Sequence, residues 1–315
     1  MLQALHSSDE SGYQVFGATG QQGGALIEHI LNTPALFAEF TLRGVTRDAS
    51  KPAATALKER GVEIVEADLN IPSTVAAAVS GSYSIFAVTN FWDSASAAVE
   101  IAQGKTIADA AVAASAKQII WSSLRSVKDM SGGKITTMDH FDSKAEVEAY
   151  IRTLDIKSTF FLPGWFMQNH LTQMRPKLES DGTYLLSLPW GGSTSLPLID
   201  IRDTGKFLSP VLLNPELYHG KRLACATAFY TLTEMIDTWT KVTGKTVKLE
   251  QSNSAADYAG LSEEQKKEVK PAGLLGEYGY YGPTGNDDLA WTLEQVTEKL
   301  RTWDKFLRDN EPWFL

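Results

Sequence analysis

Residues 13–23 read YQVFGATGQQG, and this stretch decides the fold. A short apolar run leads into three glycines spaced G-x-x-G-x-x-G, and an amphipathic segment follows. At a strand–helix turn the first glycine permits a tight bend, the second admits a pyrophosphate, and the third lets helix pack on strand. The free amides of the helix N-terminus attract phosphate. Six residues are therefore expected to contact a dinucleotide: Gly17, Thr19, Gly20, Gln21, Gln22 and Gly23.

The residues up to 162 repeat one pattern of apolar run, turn and helical stretch. The expected strands are 13–16, 40–46, 62–67, 84–89, 118–122 and 158–162. The expected helices are 25–31, 51–60, 73–79, 105–116 and 142–154. Such alternation with short connections implies right-handed parallel crossovers. The sequence therefore predicts an α/β fold with a Rossmann-type, doubly wound parallel sheet.

The pattern changes after Pro163. The expected elements are a loop at 190–193, a strand at 196–201, a helix at 233–242 ended by Gly244, a charge-rich helix at 263–270, a loop at 278–285 and a helical segment at 293–307. We divide the chain into a polar tail (1–11), a Rossmann domain (12–163) and a smaller α+β domain for substrate or partner (164–315). Some segments of this last domain are expected to return to the Rossmann sheet.

Composition excludes several classes of protein. The 315-residue chain has a formal net charge of −9 and no run of Lys and Arg, which argues against direct nucleic-acid binding. Its single cysteine, Cys225, allows no internal disulfide, which suits a reducing compartment. No stretch approaches the roughly 18 apolar residues of a membrane span, and the first dozen residues lack signal-peptide features. We expect a cytoplasmic protein without membrane contact, with nuclear entry left open.

The end of the second strand decides which nucleotide is bound. An acidic residue there would hold a ribose 2′-hydroxyl, whereas an arginine favours a 2′-phosphate. Residues 46–51 read TRDASK, so Arg47 can contact phosphate through two N–H groups and Lys51 can add a second cation. Asp48 could instead hold a ribose hydroxyl. The segment favours NADP(H) as the cofactor and leaves NAD(H) open.

Two further segments follow strands, where ligands of open α/β sheets lie. Asp68 and Leu69 come after the third strand and are expected beside the adenine, although Asp68 could equally be a helix N-cap or a turn residue. Thr89, Asn90 and Phe91 come after the fourth strand. All five are candidate cofactor contacts.

Five segments together resemble the NmrA-like family, whose members are atypical short-chain dehydrogenases. They are VFGATGQQGG at 15–24, VTR at 45–47, VTNFW at 88–92, HFDSK at 140–144 and LPGWF at 162–166. The resemblance runs from about Val15 to Asn169 and is looser beyond. It implies a Rossmann domain, a smaller C-terminal domain, and a dinucleotide that also contacts Lys144, Pro163 and Trp165.

Ordinary short-chain dehydrogenases use a tyrosine four residues before a lysine, together with a serine after the fifth strand. Here the lysine is Lys144 and the serines are Ser122 and Ser123, but His140 occupies the tyrosine position. His140 and Lys144 share a helix face. An imidazole can donate a proton near neutral pH, although a nearby lysine charge favours its neutral form. These four residues are the candidate catalytic set.

Other chemistry is not indicated. The histidines are scattered, without metal-ligand spacing, so we predict no metal site. Neither a G-x-S-x-G elbow nor a phosphate loop of the G-x-x-x-x-G-K-[ST] type occurs. Trp165, Phe166, Met167 and Trp190 could line a pocket but are more simply explained as core residues.

The resemblance carries two functional alternatives. The segments at 88–92 and 140–144 point to the branch of NADPH sensors, regulators that change partner contacts or assembly with the redox state of the cofactor. The missing tyrosine favours such a sensor, with transcriptional regulation as its setting. The alternative is an oxidoreductase, an NADPH-dependent reductase of a carbonyl, quinone or enone in secondary metabolism; the scaffold serves both. Substrate and protein partner stay open, and a homodimer is the commonest default.

Overall fold

A computed structural model describes residues 12–172, 174–251 and 277–313. The polar tail at 1–11 and the charge-rich segment at 263–270 lie outside these ranges. Two compact units are present. The first comprises residues 12–124, His140–Leu162 and Arg202–Leu223; the second comprises Arg125–Asp139, Pro163–Ile201 and the described residues from Ala224 onward. The chain thus passes between the units several times, and the predicted division into 1–11, 12–163 and 164–315 stays a prediction.

Thirteen strands are described, numbered here in chain order. They are β1 (Gly12–Phe16), β2 (Thr41–Thr46), β3 (Glu63–Glu66), β4 (Ser84–Ala87), β5 (Gln118–Ser122), β6 (Lys157–Pro163), β7 (Trp165–Phe166), β8 (Lys177–Leu178), β9 (Tyr184–Leu188), β10 (Ser195–Ile199), β11 (Arg222–Cys225), β12 (Ala228–Thr231) and β13 (Val247–Gln251). Seven of them form the central sheet, in the order β11-β6-β5-β4-β1-β2-β3. The chain of neighbours from β6 to β3 is parallel throughout. The predicted Rossmann-type sheet is confirmed.

Eleven helices are described. They are α1 (Gln21–Leu31), α2 (Pro34–Glu39), α3 (Pro52–Glu59), α4 (Pro72–Val79), α5 (Ala97–Ala113), α6 (Val127–Met130), α7 (Asp139–Ile151), α8 (Thr204–Leu213), α9 (Leu232–Thr243), α10 (Gly285–Gln295) and α11 (Trp303–Asp309). Three of them, α2, α3 and α4, begin with proline, whose missing N–H costs nothing at the first helical position. No helix in the described part of the chain combines the length and apolarity needed to cross a membrane.

The first unit packs helices against the buried central strands. Ile85 and Phe86 in β4, and Ile119 and Ile120 in β5, are fully buried, as expected of strands covered on both faces. Helix α8, which was not predicted from the sequence, packs on α1. Gly205 permits this approach, because a Cβ there would collide with the His29 side chain.

The second unit contains two small sheets and a tryptophan-rich core. The sheets have the orders β12-β10-β7 and β13-β9-β8. Helix α9 begins with a capping box between Thr231 and Glu234 and ends at Gly244, whose φ of 66° is left-handed. The predicted stop at Gly244 is therefore confirmed. Five large aromatic side chains contribute to the buried core: Trp190, Trp239, Trp303, Phe306 and Trp313.

The predicted helical segment at 293–307 is wrong as one continuous element. Helix α10 ends at Gln295, and α11 begins only at Trp303. Between them Val296 is extended, and Thr302 starts the second helix by accepting a hydrogen bond from Lys305 N at 3.3 Å. The apolar spacing continues across this break, so periodicity alone could not reveal it.

His170 is fully buried in the core of the second unit. The ring contacts Trp239 and Trp303 at centroid distances of 5.5 and 5.1 Å, and Nδ1 contacts Met174 O at 3.3 Å. Nε2 has no hydrogen-bond partner among the described residues. Burial lowers the pKa of His170 from 6.5 to about 4. Between pH 6.5 and about 4, the imidazole of His170 therefore stays neutral in the folded protein, whereas it binds a proton in the unfolded chain.

We expect His170→Gln to reduce the loss of stability in acid. The contribution of His170 is fully present above pH 6.5 and disappears as the pH falls toward 4, because only the unfolded state binds the proton in that window. The wild-type protein should lose about 3 kcal/mol more than the variant across this window. Urea unfolding at several pH values measures the difference. Parallel stability curves for the two proteins would contradict the assignment.

Candidate functional site

The glycine turn joins β1 to α1. Gly17 has a φ of 64°, and Gly20 N donates to Gly17 O at 2.8 Å. A Cβ on Gly23 would lie 2.7 Å from Phe16 O and still closer to Gly17 O, so the third glycine is needed for helix to meet strand. Helix α1 begins at Gln21 after the N-cap Gly20, without a side-chain cap or an acidic residue in its first turn. Its first amides and its dipole remain available for an anion.

The turn lies where the strand order reverses. Strand β1 is paired with β2 on one side and with β4 on the other, so the ends of β1 and β4 flank the switch point. A Cβ on Gly17 would lie 2.9 Å from Val88 Cγ1, which shows how closely the two ends approach. This is the place where open α/β sheets bind ligands.

Lys144 is held by a buried acidic residue that the sequence analysis missed. Its Nζ donates to Glu100 Oε1 at 2.6 Å, and to the main-chain and side-chain oxygens of Thr89, both at 3.1 Å. The side chain of Glu100 is 1% exposed and that of Lys144 is 11% exposed. Thr89 and Ser143 donate their hydroxyl protons to the same carboxylate. All three ammonium protons of Lys144 thus have acceptors within the protein.

His140 lies in an aromatic cluster. Its ring centroid is 4.7 Å from that of Phe141, 5.2 Å from that of Trp92 and 6.0 Å from that of Phe91. Phe91 is buried and Trp92 is partly exposed. The segment after β4 therefore lies against His140.

The hydroxyls of the two candidate serines already have partners. Ser122 Oγ donates to Gln22 Oε1 at 2.7 Å, which ties the end of β5 to the first turn of α1. Ser123 Oγ donates to Glu148 Oε2 at 2.7 Å. Both serines are buried, and their catalytic role stays a prediction.

Glu148 connects Ser123 to two arginines. Arg152 and Arg222 bind its Oε1 at 2.7 and 2.6 Å. One counter-charge of this buried carboxylate, Arg152, directly follows the same helix, and the other, Arg222, comes from β11. The hydroxyl of Ser123 is therefore part of a network of hydrogen bonds and ion pairs centred on Glu148.

Arg47 follows β2 and is 64% exposed, and its Nη1 pairs with Asp93 Oδ2 at 2.9 Å. Asp48 Oδ1 accepts hydrogen bonds from Ser50 N at 2.9 Å and from Ser50 Oγ at 2.6 Å. These bonds lower the pKa of Asp48 and close a local turn. Lys51 is exposed just before α3. The guanidinium and ammonium groups both reach solvent at this edge.

The remaining candidates fall in two places. Asp68 Oδ1 accepts from Asn70 N at 2.9 Å and from Asn70 Nδ2 at 3.0 Å, which matches the turn-residue alternative. Leu69 beside it is half-buried.

Pro163 and Trp165 belong to the second unit, where Trp165 packs edge-on against Trp190 with a centroid distance of 5.2 Å. The cofactor contacts predicted for these residues stay predictions.

The turn fits the diphosphate of a dinucleotide, because the first turn of α1 has neither a side-chain cap nor an acidic residue. No cluster of three His, Cys, Asp or Glu side chains suited to a metal occurs among the residues whose placement is described.

Met167 and Trp190, considered above as pocket residues, are buried core residues of the second unit.

Comparison with known proteins places the chain in a family. The model of the NmrA-like family matches residues 10–307. The NmrA-like family domain-containing oxidoreductase cpsB of Aspergillus campestris is 32% identical over 317 residues, covering 93% of this chain and 92% of that protein. The corresponding oxidoreductase FrzB of Cladobotryum sp is 30% identical over 307 residues, covering 90% of each.

A solved structure shows the same fold at lower identity. It is NmrA, a negative transcriptional regulator, in complex with NADP; the TM-score is 0.80, the identity 20%, and the coverage 97% of this chain and 96% of that one. The match of the family model across nearly the whole chain is decisive. The chain belongs to the NmrA-like family.

Proposed function

We propose that the protein binds NADP(H) at the glycine turn between β1 and α1. The observation that carries this proposal is the uncapped N-terminus of α1, placed at the switch point behind a turn that tolerates no Cβ at Gly23. Arg47 and Lys51 would hold the 2′-phosphate, and Gly17–Gly23 the diphosphate. The NADP complex of the NmrA regulator supports the proposal by fold.

We expect Arg47→Ala to weaken NADP binding about 10-fold, because a charge-assisted hydrogen bond to phosphate is lost. Binding of NAD should change less than about twofold, since its 2′-hydroxyl carries no charge to pair. Calorimetric titration with both nucleotides measures the two affinities. Lys58→Ala, which removes an exposed cation of α3, is the control and should leave both unchanged. Equal losses for NADP and NAD would rule out this role for Arg47.

We propose that the protein uses the cofactor as a reductase without the tyrosine of ordinary short-chain dehydrogenases. The nicotinamide, when bound, supplies a hydride. Lys144 has its three protons engaged by Glu100 and Thr89, and His140 replaces the tyrosine. When a quinone or an enone accepts a hydride, conjugation spreads the resulting negative charge over several atoms. Such a substrate depends less on a strong proton donor than a simple ketone does. The oxidoreductase names of the two relatives support this use.

His140 has the position of a proton donor in such a reaction. It lies one helical turn before Lys144, and the residue is half-buried. Phe91, Trp92 and Phe141 restrict the orientation of the imidazole. An imidazole can exchange a proton with a substrate oxygen near neutral pH.

A redox sensor is the second candidate function. The same engagement of Lys144 favours it, because a protein without a proton relay can bind the cofactor and leave it unchanged. Such a sensor needs only one redox form to favour one conformation. The name of the NmrA regulator supports this candidate.

Two measurements separate the candidates. The reductase predicts oxidation of NADPH, followed by its absorbance, with at least one member of a quinone and enone panel, and loss of turnover in His140→Ala. The sensor predicts no turnover, together with affinities for NADP and NADPH that differ by about 10-fold or more and a change of assembly state. Equal affinities, unchanged assembly and no turnover would reject both.

A further inference from the structure

The carboxylate of Asp93 is bound on both sides. Asp93 ends a short 3₁₀ turn, Phe91–Asp93, that follows β4. Its Oδ2 pairs with Arg47 Nη1 at 2.9 Å, and its Oδ1 accepts a hydrogen bond from Asn90 Nδ2 at 2.6 Å. Arg47, which is expected to contact the 2′-phosphate, is thus paired with an acidic residue that follows a different strand.

The turn that carries Asp93 is anchored. Phe91 is 4% exposed, and its carbonyl accepts hydrogen bonds from Ala95 N at 2.8 Å and Ser94 N at 3.3 Å. Asp93 N in turn donates to Asn90 O at 3.2 Å. The backbone therefore keeps the carboxylate near Arg47 even when the ion pair opens.

A fixed carboxylate at this point affects NADP and NAD differently. The phosphate of NADP must compete with Asp93 for the same guanidinium, and it places a second anion beside the carboxylate. The 2′-hydroxyl of NAD adds no charge and can itself donate to a carboxylate. Asp93 consequently opposes NADP binding without opposing NAD binding.

We propose that Asp93 is a specificity-determining residue. By pairing with Arg47 it lowers the affinity for NADP but not that for NAD, and so it reduces the ratio of the two affinities. The inference rests on the proposed dinucleotide site. It goes beyond that site because Arg47 and Lys51 alone would set a stronger NADP preference than the pair with Asp93 allows. A negatively charged side chain, and not only the two cations, sets the ratio of affinities.

The test uses Asp93→Asn in the 315-residue chain. The amide has nearly the same shape and keeps an oxygen for Asn90, but it has no charge. We expect NADP affinity to rise about 5- to 10-fold, because Arg47 no longer has to leave an exposed ion pair and the 2′-phosphate no longer lies beside a carboxylate. NAD affinity should change less than about twofold, since its 2′-hydroxyl carries no charge. Calorimetric titration with each nucleotide gives both constants. Asp93→Ser is a second variant that also removes the charge.

Two further variants give the test its specificity. In the Arg47→Ala background, Asp93→Asn should raise NADP affinity by less than in the wild type, because no guanidinium remains to be released. Glu59→Gln removes an exposed negative charge of α3 and should leave the NADP-to-NAD ratio unchanged.

The outcomes separate this inference from the proposed function. Uptake of both nucleotides with the same ratio in wild type, Asp93→Asn and Asp93→Ser would overturn the assignment of Asp93 and leave the dinucleotide site standing. An equal gain in the Arg47→Ala background would also overturn it, because the effect would then not pass through Arg47. Failure of the wild type to take up either nucleotide would reject both proposals.

Discussion

Gly23→Ala is expected to reduce NADP affinity by about 100-fold or more, the scale of loss that a misplacement of about 1 Å can cause at a preorganised site. The new Cβ would lie 2.7 Å from both Gly17 C and Phe16 O. These are backbone atoms of β1 and its turn, and they cannot rotate away as a side chain can. The first turn of α1 must move, and its amides lose their alignment. Calorimetric titration with NADP measures the loss.

The neighbouring glycine provides the matched control. In Gly24→Ala the nearest contact outside the local helix backbone is Ala18 O at 3.3 Å, which a shift of a few tenths of an ångström relieves. Alanine is also the better helix former, by about 1 kcal/mol. We expect Gly24→Ala to fold and to bind NADP as the wild type does. Near-normal binding by a folded Gly23→Ala protein would refute the role given to the turn.

Glu100→Gln is expected to lower the free energy of unfolding by about 3–5 kcal/mol, the usual cost of leaving one member of a buried ion pair unpaired. The ammonium of Lys144 would lose its counter-charge in a place that is 11% exposed. Thr89 and Ser143 would also lose the carboxylate that accepts their protons. Urea unfolding compares the variant with the wild type.

A double variant shows whether the pair, and not the size of one side chain, is responsible. Lys144→Met alone should cost a similar amount, because it leaves Glu100 buried without its cation. Glu100→Gln combined with Lys144→Met should be less destabilised than the sum of the two single variants, since no uncompensated charge remains. Additive costs would show that the two residues do not stabilise the fold as a pair.

Much of the fold could be predicted because its determinants are local. Apolar runs and intervening helical periodicity identified the strands β1 to β6, and glycine spacing identified the turn before α1. The helix α5 was placed eight residues too late, although Ser96 caps it by accepting from Val99 N at 3.5 Å. That error hid Glu100, which lies in the first turns of the helix. Helix α8 was missed because Pro210 lies inside it.

Parts of the candidate site were also accessible from sequence position. His140 and Lys144 are one helical turn apart, so their common face followed from helix geometry. The partners of Lys144 did not follow, because Glu100 is 44 residues away. The hydrogen bonds of Asp68 to Asn70 also became known only from the structure, and its predicted cofactor contact stays a prediction.

The sequence by itself determined the parallel α/β sheet, the position of the glycine turn and the placing of His140 and Lys144 on one helix face. These depend on residue type and on spacing along a single strand, turn or helix, which the chain encodes directly. Only the tertiary structure decided that Lys144 is paired with Glu100 and that Arg47 is paired with Asp93. The physical reason is that such pairs join side chains from separate elements, and their distances are set by sheet order and packing and not by local periodicity.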